Sequence, residues 1–380
     1  MTDSVSLERA TARAWLEVNE NALLANYYEM KSLCKPDTTM ICVLKADAYG
    51  YGAQQMGKIL FRAGARHFSV ACIEEALELK AILPDSWILN MGITPDIWLE
   101  TAIQQGIRLT AGSLENVRKI AEIAERLKIE AFVHIKIDSG LHRLGFLHEQ
   151  AYQSLKYNQW VDFEGLFSHL ALRSDEQSKE QYDRFCAVVD AFSKQGHSFK
   201  MLHLLDSIGL VKYRAWQMNA VRIGAALYGN IPPVYEHFER RQAVGRFCTR
   251  ITRIETIPAG EGIGYDDAPL QQDTRVATLA VGYVDGYARS LSGIGEVEIH
   301  GKRARVLGLV CMDQMMVDIS AIPEAQPNDI AVLLGDGITL NEFAEWGHLN
   351  RNEATAMIGR RVPRIYMRDG KVTEIISRII

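Results

Sequence analysis

No apolar run in this 380-residue chain approaches the roughly 20 residues needed to cross a bilayer, which excludes a helical membrane span. The first fifteen residues are polar and lack an apolar core, so no secretory signal is expected and the protein reads as cytoplasmic. Cysteine is sparse: Cys34, Cys42, Cys72, Cys186, Cys248 and Cys311 are scattered with no CxxC pair. That pattern argues for reduced, mostly buried thiols and against a disulfide frame or a zinc site. An excess of positive charge is also missing. With 47 Asp and Glu against 42 Lys and Arg the net charge is −5, which argues against a protein whose main task is holding a phosphate backbone. The 48% of hydrophobic residues excludes disorder, and the length admits two or three domains or one large barrel plus an extra domain.

Up to about residue 240, short apolar runs alternate with helix-like segments. The runs are MICVLK (40–45), HFSVAC (67–72), SWILNMG (86–92), IRLT (107–110), AFVHIKID (131–138), FEGLFSHL (163–170), KMLHLLDS (200–207) and NAVRIG (219–224). Continuous apolar runs of this length are what strands buried on both faces look like. Residues 73–82, 113–127 and 174–194 carry apolar side chains three and four apart, the spacing of one helix face. Ser113 and the Thr94–Pro95 pair read as helix starts. Eight strands alternating with helices suffice for a (β/α)8 barrel; an open doubly wound sheet is the competing architecture, and no GxGxxG follows the first strand. Beyond the proline-rich linker at 230–240 the chain turns β-rich. Runs at 248–257, 275–283, 296–299, 303–309, 315–319 and 330–334, a helix at 341–346 and strands near 364–367 and 371–376 predict a mainly antiparallel second domain. The division is thus a barrel over 1–240 and a β domain over 241–380.

Active sites of such barrels lie at the C-terminal ends of the strands. Polar residues there are Lys45 and Asp47, then Lys136, Asp138 and Arg143, then His169, then His203, Asp206 and Ser207, and last Arg222 with Gly224. A lysine closing MICVL is desolvated on one side, which lowers its pKa and frees a neutral amine for carbonyls, above all pyridoxal phosphate. Taken alone it reads sooner as a solvated strand-end lysine. Ser207 and the amides of Gly224 and Ala225 follow the seventh and eighth strands, where barrels commonly bind phosphate. An ordinary serine cap and glycine turn are the plain alternative.

The same residues sit in a series of motifs: AWLEVNENALLANY, VLKADAYGYGA, HIKIDSGLHRLGF, FEGLFSHLA, VRIGAALYG, GIGYDDA, AVGYVDGYAR, CMDQMMVDIS and RRVPRIYMRDG. In that order, along almost the full length, the chain resembles the alanine racemase family of pyridoxal-phosphate enzymes. The resemblance implies a barrel, a C-terminal β domain and a homodimer whose sites are lined by the partner's β domain. It implies Lys45 as the cofactor-carrying lysine, with Tyr49, Ser207, Gly224 and Ala225 around the phosphate. It sets Arg222 at the pyridine nitrogen, Arg143 at the phenolic oxygen and Tyr265 reaching in from the second subunit. Racemisation takes the α-proton from one face and returns one to the other, so two acid–base groups are required; the resemblance makes these Lys45 and Tyr265. A tyrosine near its ordinary pKa of about 10 needs cationic neighbours to act as a base, the part implied for His169 and Arg222. Lys136 matches a lysine that carries a carbamate in several relatives, a plain Lys136–Asp138 pair being the alternative. Met312 matches a substrate-carboxylate contact and Asp313 a neighbour that positions Tyr265. Tyr283 and Arg289 match an entrance corridor. The expected function is interconversion of L- and D-alanine for cell-wall peptide, with no metal and no nucleic-acid partner. A decarboxylase or aldolase on the same cofactor, or a catalytically idle cofactor-binding barrel, is the outside reading.

Departures from the family pattern gather around the substrate. Arg360, after Gly359, stands where a tyrosine is expected before the RVPR run; it can still hold phosphate but alters the gate. Leu309 replaces a corridor arginine, and Ser174 a corridor aspartate unless Asp175 substitutes. Serine or a larger amino acid is therefore the alternative substrate.

Overall fold

The computed structural model describes residues 13–231 and 242–378; the linker from residue 232 and the polar N-terminal segment lie outside them. The first strand is β1 (Ala14–Asn19). Eight more follow: β2 (Thr39–Val43), β3 (His67–Val70), β4 (Trp87–Asn90), β5 (Leu109–Ala111), β6 (Ala131–Lys136), β7 (Val161–Phe167), β8 (Met201–His203) and β9 (Ala220–Ile223). Strands β2 to β9 form one parallel sheet in the order β4-β3-β2-β9-β8-β7-β6-β5. A parallel bridge between Leu89 and Arg108 closes it, with the Asn90 amide on the Arg108 carbonyl at 3.0 Å. All eight apolar runs are therefore barrel strands, and the open-sheet alternative falls.

Helices Ile73–Ile82, Leu114–Leu127 and Asp175–Lys194 occupy the expected segments. Ser113 and Ser174 cap the last two, each hydroxyl accepting an amide three residues on at 3.2 Å. Pro95 is the residue before helix Asp96–Gln104 rather than its first. Helix Ala53–Arg62, whose pattern gave no start signal, fills the step after β2.

The second sheet adds β10 (Gly245–Ile257), β11 (Thr274–Leu279), β12 (Glu296–Ile299), β13 (Lys302–Leu307), β14 (Met315–Asp318), β15 (Ile330–Leu334), β16 (Arg364–Arg368) and β17 (Lys371–Ile376). Its order is β11-β14-β13-β12-β15-β10-β1-β16-β17. Every pairing is antiparallel except that of β1 with β16. Strand β1 thus comes from the N-terminal segment yet sits inside the C-terminal sheet, Leu16 facing Phe247 on one side and Arg364 on the other. With Trp15, Leu16 and Val18 all buried, it has the doubly covered character of a barrel strand, which is why position alone does not reveal its sheet. The chain therefore crosses between the two sheets twice.

Candidate active site

Lys45 follows β2 directly and begins a short turn, Lys45–Tyr49, whose residues Ala46, Asp47, Ala48 and Tyr49 all have φ between 52° and 57°. Its ammonium stands 6.0 Å from the centre of the Tyr49 ring. Burial and then the Arg143 guanidinium lower the Lys45 pKa; Glu75 and Asp206 oppose that shift. The strand-end lysine is thus a largely desolvated amine between cations and carboxylates, with burial the dominant influence, a condition for nucleophilic or basic use.

An anion cradle faces it. Asp206 caps helix Ser207–Lys212, its carboxylate accepting the Gly209 amide at 2.8 Å. The Ser207 hydroxyl accepts the amides of Gly224 at 3.0 Å and Ala226 at 3.2 Å. The serine thus takes the amides on either side of Ala225, whose own amide has no hydrogen-bond partner among the described residues. Tyr49, 8% exposed, places its hydroxyl against Gly224: a Cβ there would stand 2.5 Å from it. Only glycine leaves that space. The Ser207 hydroxyl and the unengaged Ala225 amide after the last two strands, with the Tyr49 hydroxyl from the turn after β2, fit a phosphate.

Arg222, 4% exposed, crosses the barrel mouth. Its Nη1 donates to the His203 carbonyl at 2.9 Å and to His203 Nδ1 at 2.7 Å. Its Nη2 donates to the carbonyls of Ser168 at 2.7 Å and Leu204 at 3.0 Å and approaches His169 Nδ1 at 3.3 Å. Burial brings this arginine down to about 10, still far above neutrality. His169 is pushed down to about 4 by burial and by Arg222, Arg143 and Lys136, against the pull of Asp206. Its Nε2 stands 4.0 Å from the Asp206 carboxylate.

A polar chain continues into the barrel, where packed apolar layers are the rule. His203 Nε2 meets His134 Nδ1 at 2.8 Å, and His134 Nε2 lies 3.5 Å from Glu164, which also takes Trp87 Nε1 at 3.2 Å and Arg108 Nε at 3.2 Å. Burial lowers both histidine pKa values, so both rings are neutral at pH 7. An arginine only donates, so His203 Nδ1 must accept and its proton sits on Nε2. That proton goes to His134 Nδ1, leaving the His134 proton on Nε2 facing the carboxylate. The tautomers along the chain are set from its two ends. His134 and Glu164 were not singled out from sequence, because a histidine inside AFVHIK reads as an ordinary core residue.

Lys136, 4% exposed, donates to the Ile137 carbonyl at 2.6 Å rather than to Asp138. Asp138 instead accepts the amides of Gly140 and His142, each at 3.0 Å. Burial and Arg222 bring Lys136 down to about 7. Arg143 lies nearby on an exposed turn.

The C-terminal candidates Tyr265, Tyr283, Arg289, Met312, Asp313 and Arg360 are all exposed on the single chain. Tyr265 is 79% exposed on a tight turn in which the Asp266 amide meets the Ile263 carbonyl at 3.1 Å. Met312 and Tyr283, 52% and 38% exposed, flank a neighbouring loop joined by the Tyr283 amide on the Cys311 carbonyl at 3.0 Å. Asp313 pairs with Arg361 at 2.7 Å, not with Tyr265. Arg361 also binds the fully buried Asp285, as Arg13 does, so one ion-pair network ties this loop to the segment around Arg360. Arg360 and Arg289 are exposed, and Ser174 is a helix cap. Leu309 is half-buried.

A parallel barrel with a desolvated strand-end lysine, a nearby hydroxyl-and-amide cluster and an appended β sheet is the architecture of the pyridoxal-phosphate barrel enzymes. Comparison with known proteins narrows this. Residues 18–232 match the model of the alanine racemase N-terminal domain and residues 244–366 that of the C-terminal domain. The chain therefore belongs to the alanine racemase family. It is 34% identical over 379 residues to an alanine racemase of Clostridium tetani, covering 95% of this chain and 97% of that one. Among solved structures, alanine racemase of Clostridium difficile 630 superposes with a TM-score of 0.92 at 32% identity, covering 97% of this chain and 99% of that one. Alanine racemase from Bartonella henselae, described with covalently bound pyridoxal phosphate, superposes at 0.86 with 28% identity, covering 93% and 99%.

Proposed function

We propose that this protein is a pyridoxal-phosphate-dependent alanine racemase that moves the α-proton between two faces of its substrate. The observation that carries the reading is Lys45, a desolvated lysine at the barrel mouth, beside the Tyr49–Ser207–Gly224 cradle. Pyridoxal phosphate, when bound, supplies an electron sink that acidifies the substrate's α-proton. In the proposed site Tyr49, Ser207, Gly224 and the Ala225 amide would hold its phosphate, Arg143 its phenolic oxygen, and Arg222 its ring nitrogen. Arg360 is the further candidate for phosphate.

Arg222 stays protonated at neutral pH and would offer the cofactor's ring nitrogen a hydrogen-bond donor rather than an acid, the chemistry that keeps an electron sink weak. Reprotonation at the α-carbon is favoured over side reactions. Lys45 serves one face. Tyr265 of a second copy serves the other, its phenolate supported through His169 and Arg222. Exposure of the Tyr265, Tyr283 and Met312 side chains on the β domain supports a homodimer with shared sites. Met312 would meet the substrate carboxylate, with Tyr283 at the entrance. Among the described residues no helix is long and apolar enough to cross a membrane, and the proposed setting is the cytoplasm, making D-alanine for cell-wall peptide.

Mixing the protein with pyridoxal phosphate should produce the visible absorbance of lysine-bound cofactor, and Lys45→Ala should abolish it. An undiminished band in that variant would refute the assignment.

A further inference from the structure

The turn that follows Lys45 is an unusual piece of backbone. Four consecutive non-glycine residues, Ala46 to Tyr49, lie in the left-handed region, followed by Gly50 at φ 90° and Gly52 at φ 96°. L-residues adopt this conformation at an energetic cost because Cβ crowds the following carbonyl, and a run of four persists only where the surroundings enforce it. Lys45 opens this run and Tyr49 closes it, so whatever holds the turn also aims the amine and the cradle hydroxyl.

Several side chains hold it. Glu75, from helix Ile73–Ile82, accepts the Ala46 amide at 2.6 Å and the Ala71 amide at 2.9 Å. Asp47 accepts the Ala53 amide at 2.8 Å and pairs with Arg378 at 2.6 Å. The decisive contact comes from the β domain. Arg364, first residue of β16 and 4% exposed, donates from Nε and Nη2 to the Gly50 carbonyl at 3.0 and 2.8 Å. Its remaining bonds go to the carbonyls of Ile358 at 2.7 Å, Gly359 at 2.8 Å and Val362 at 2.6 Å. Two residues on, the Tyr366 hydroxyl donates to the Tyr51 carbonyl at 2.8 Å. Gly50 is packed so closely that a Cβ would collide with the Thr355 carbonyl oxygen. One guanidinium therefore joins the loop that carries Arg360 to the turn that carries Lys45 and Tyr49. A planar fork with five donors matches this set; an ammonium does not.

We infer that Arg364 is a positioning residue for Lys45, acting across the domain boundary through the left-handed turn Ala46–Tyr49. This rests on Lys45 being the cofactor lysine, but the mechanical coupling is separable from it. The β domain then has a task within its own chain, holding the barrel's amine in register, beside the one proposed for it in a second subunit. If the turn relaxes, water reaches Lys45, the desolvation that lowers its pKa weakens, and the amine titrates at higher pH.

The test uses the full chain without cofactor and the Arg364→Lys variant. Hydrogen exchange of the amides of Ala48, Gly50, Tyr51, Gly52 and Ala53 should quicken by about tenfold or more, which corresponds to about 1.4 kcal/mol. Amides of β12 and β15 should be unchanged. Mixing each protein with pyridoxal phosphate across a pH series should show the midpoint for the visible band moved upward in the variant. Tyr366→Phe removes one hydroxyl with little change of shape and should give a smaller acceleration confined to the same segment, which keeps the claim testable if Arg364→Lys fails to fold. Equal exchange in variant and parent, or acceleration spread evenly over both sheets, overturns the proposal, as does an unmoved pH midpoint. A visible band that survives Lys45→Ala would instead overturn the cofactor-lysine reading and leave the exchange result standing.

Discussion

Lys136 should take up carbon dioxide. Burial, Arg222 and Arg143 bring its amine down to about 7 against the pull of Asp138. A lysine at its ordinary value of about 10.4 is neutral in roughly 0.04% of molecules at pH 7, whereas about half are neutral at the lowered value, a gain on the order of 1,000-fold in reactive amine. The neutral amine adds to carbon dioxide and loses a proton to give a carbamate anion. The two guanidiniums that disfavour the ammonium attract that anion, so the environment favours both the reaction and its product. Equilibrating the protein with 13C-labelled bicarbonate should give a carbamate carbon resonance that Lys136→Gln lacks. Its intensity should climb as pH rises through about 7, since deprotonation of the amine is the limiting equilibrium. A resonance identical in parent and variant, or one that does not change between about pH 6 and 8, would refute the reasoning.

Gly224→Ala would set a Cβ 2.5 Å from the Tyr49 hydroxyl and 3.2 Å from the Val43 Cβ. Over-packing of this kind costs about 1–3 kcal/mol, so urea denaturation should shift and pyridoxal phosphate should bind more weakly; unchanged affinity would remove Gly224 from the cradle. Arg222→Lys replaces a fork that serves three carbonyls and two histidines with one ammonium carrying three donors. Leaving two acceptors unserved should cost about 2–6 kcal/mol in equilibrium unfolding, and a loss below about 1 kcal/mol would show that the mouth is not held this way. Arg360→Tyr should raise the ratio of alanine to serine turnover, measured as kcat/KM for each; an equal ratio would discharge Arg360 from specificity.

The barrel was legible because parallel strands covered on both faces must be apolar throughout, and eight such runs with intervening helices leave few architectures. What sequence did not disclose has specific causes. β1 is as apolar as a barrel strand, so only its pairing partners reveal that it belongs to the other sheet. The left-handed turn is written as ADAY, with glycine only at its end, and nothing in those residues announces positive φ. Lys45, Ser207, Gly224 and Arg222 could be placed because a strand's C-terminal end is a position that composition marks. Arg364 could not, since a buried arginine bonded to a carbonyl 314 residues away looks in sequence like an edge-strand charge. The plain alternative of a Lys136–Asp138 pair is not formed: the carboxylate accepts the amides of its own turn and the ammonium donates to the Ile137 carbonyl. Tyr265 and Met312 are exposed on the single chain, so what they face could not be read from it.

The central claim, proton transfer at the α-carbon of alanine from two faces, is tested most directly in deuterated water. Cofactor-loaded protein incubated with L-alanine, alongside a panel of other L-amino acids, should yield D-alanine carrying deuterium at the α-carbon, and Lys45→Ala should yield none. Release of a decarboxylated amine, or recovery of L-alanine with no D-product and no deuterium, would contradict the account.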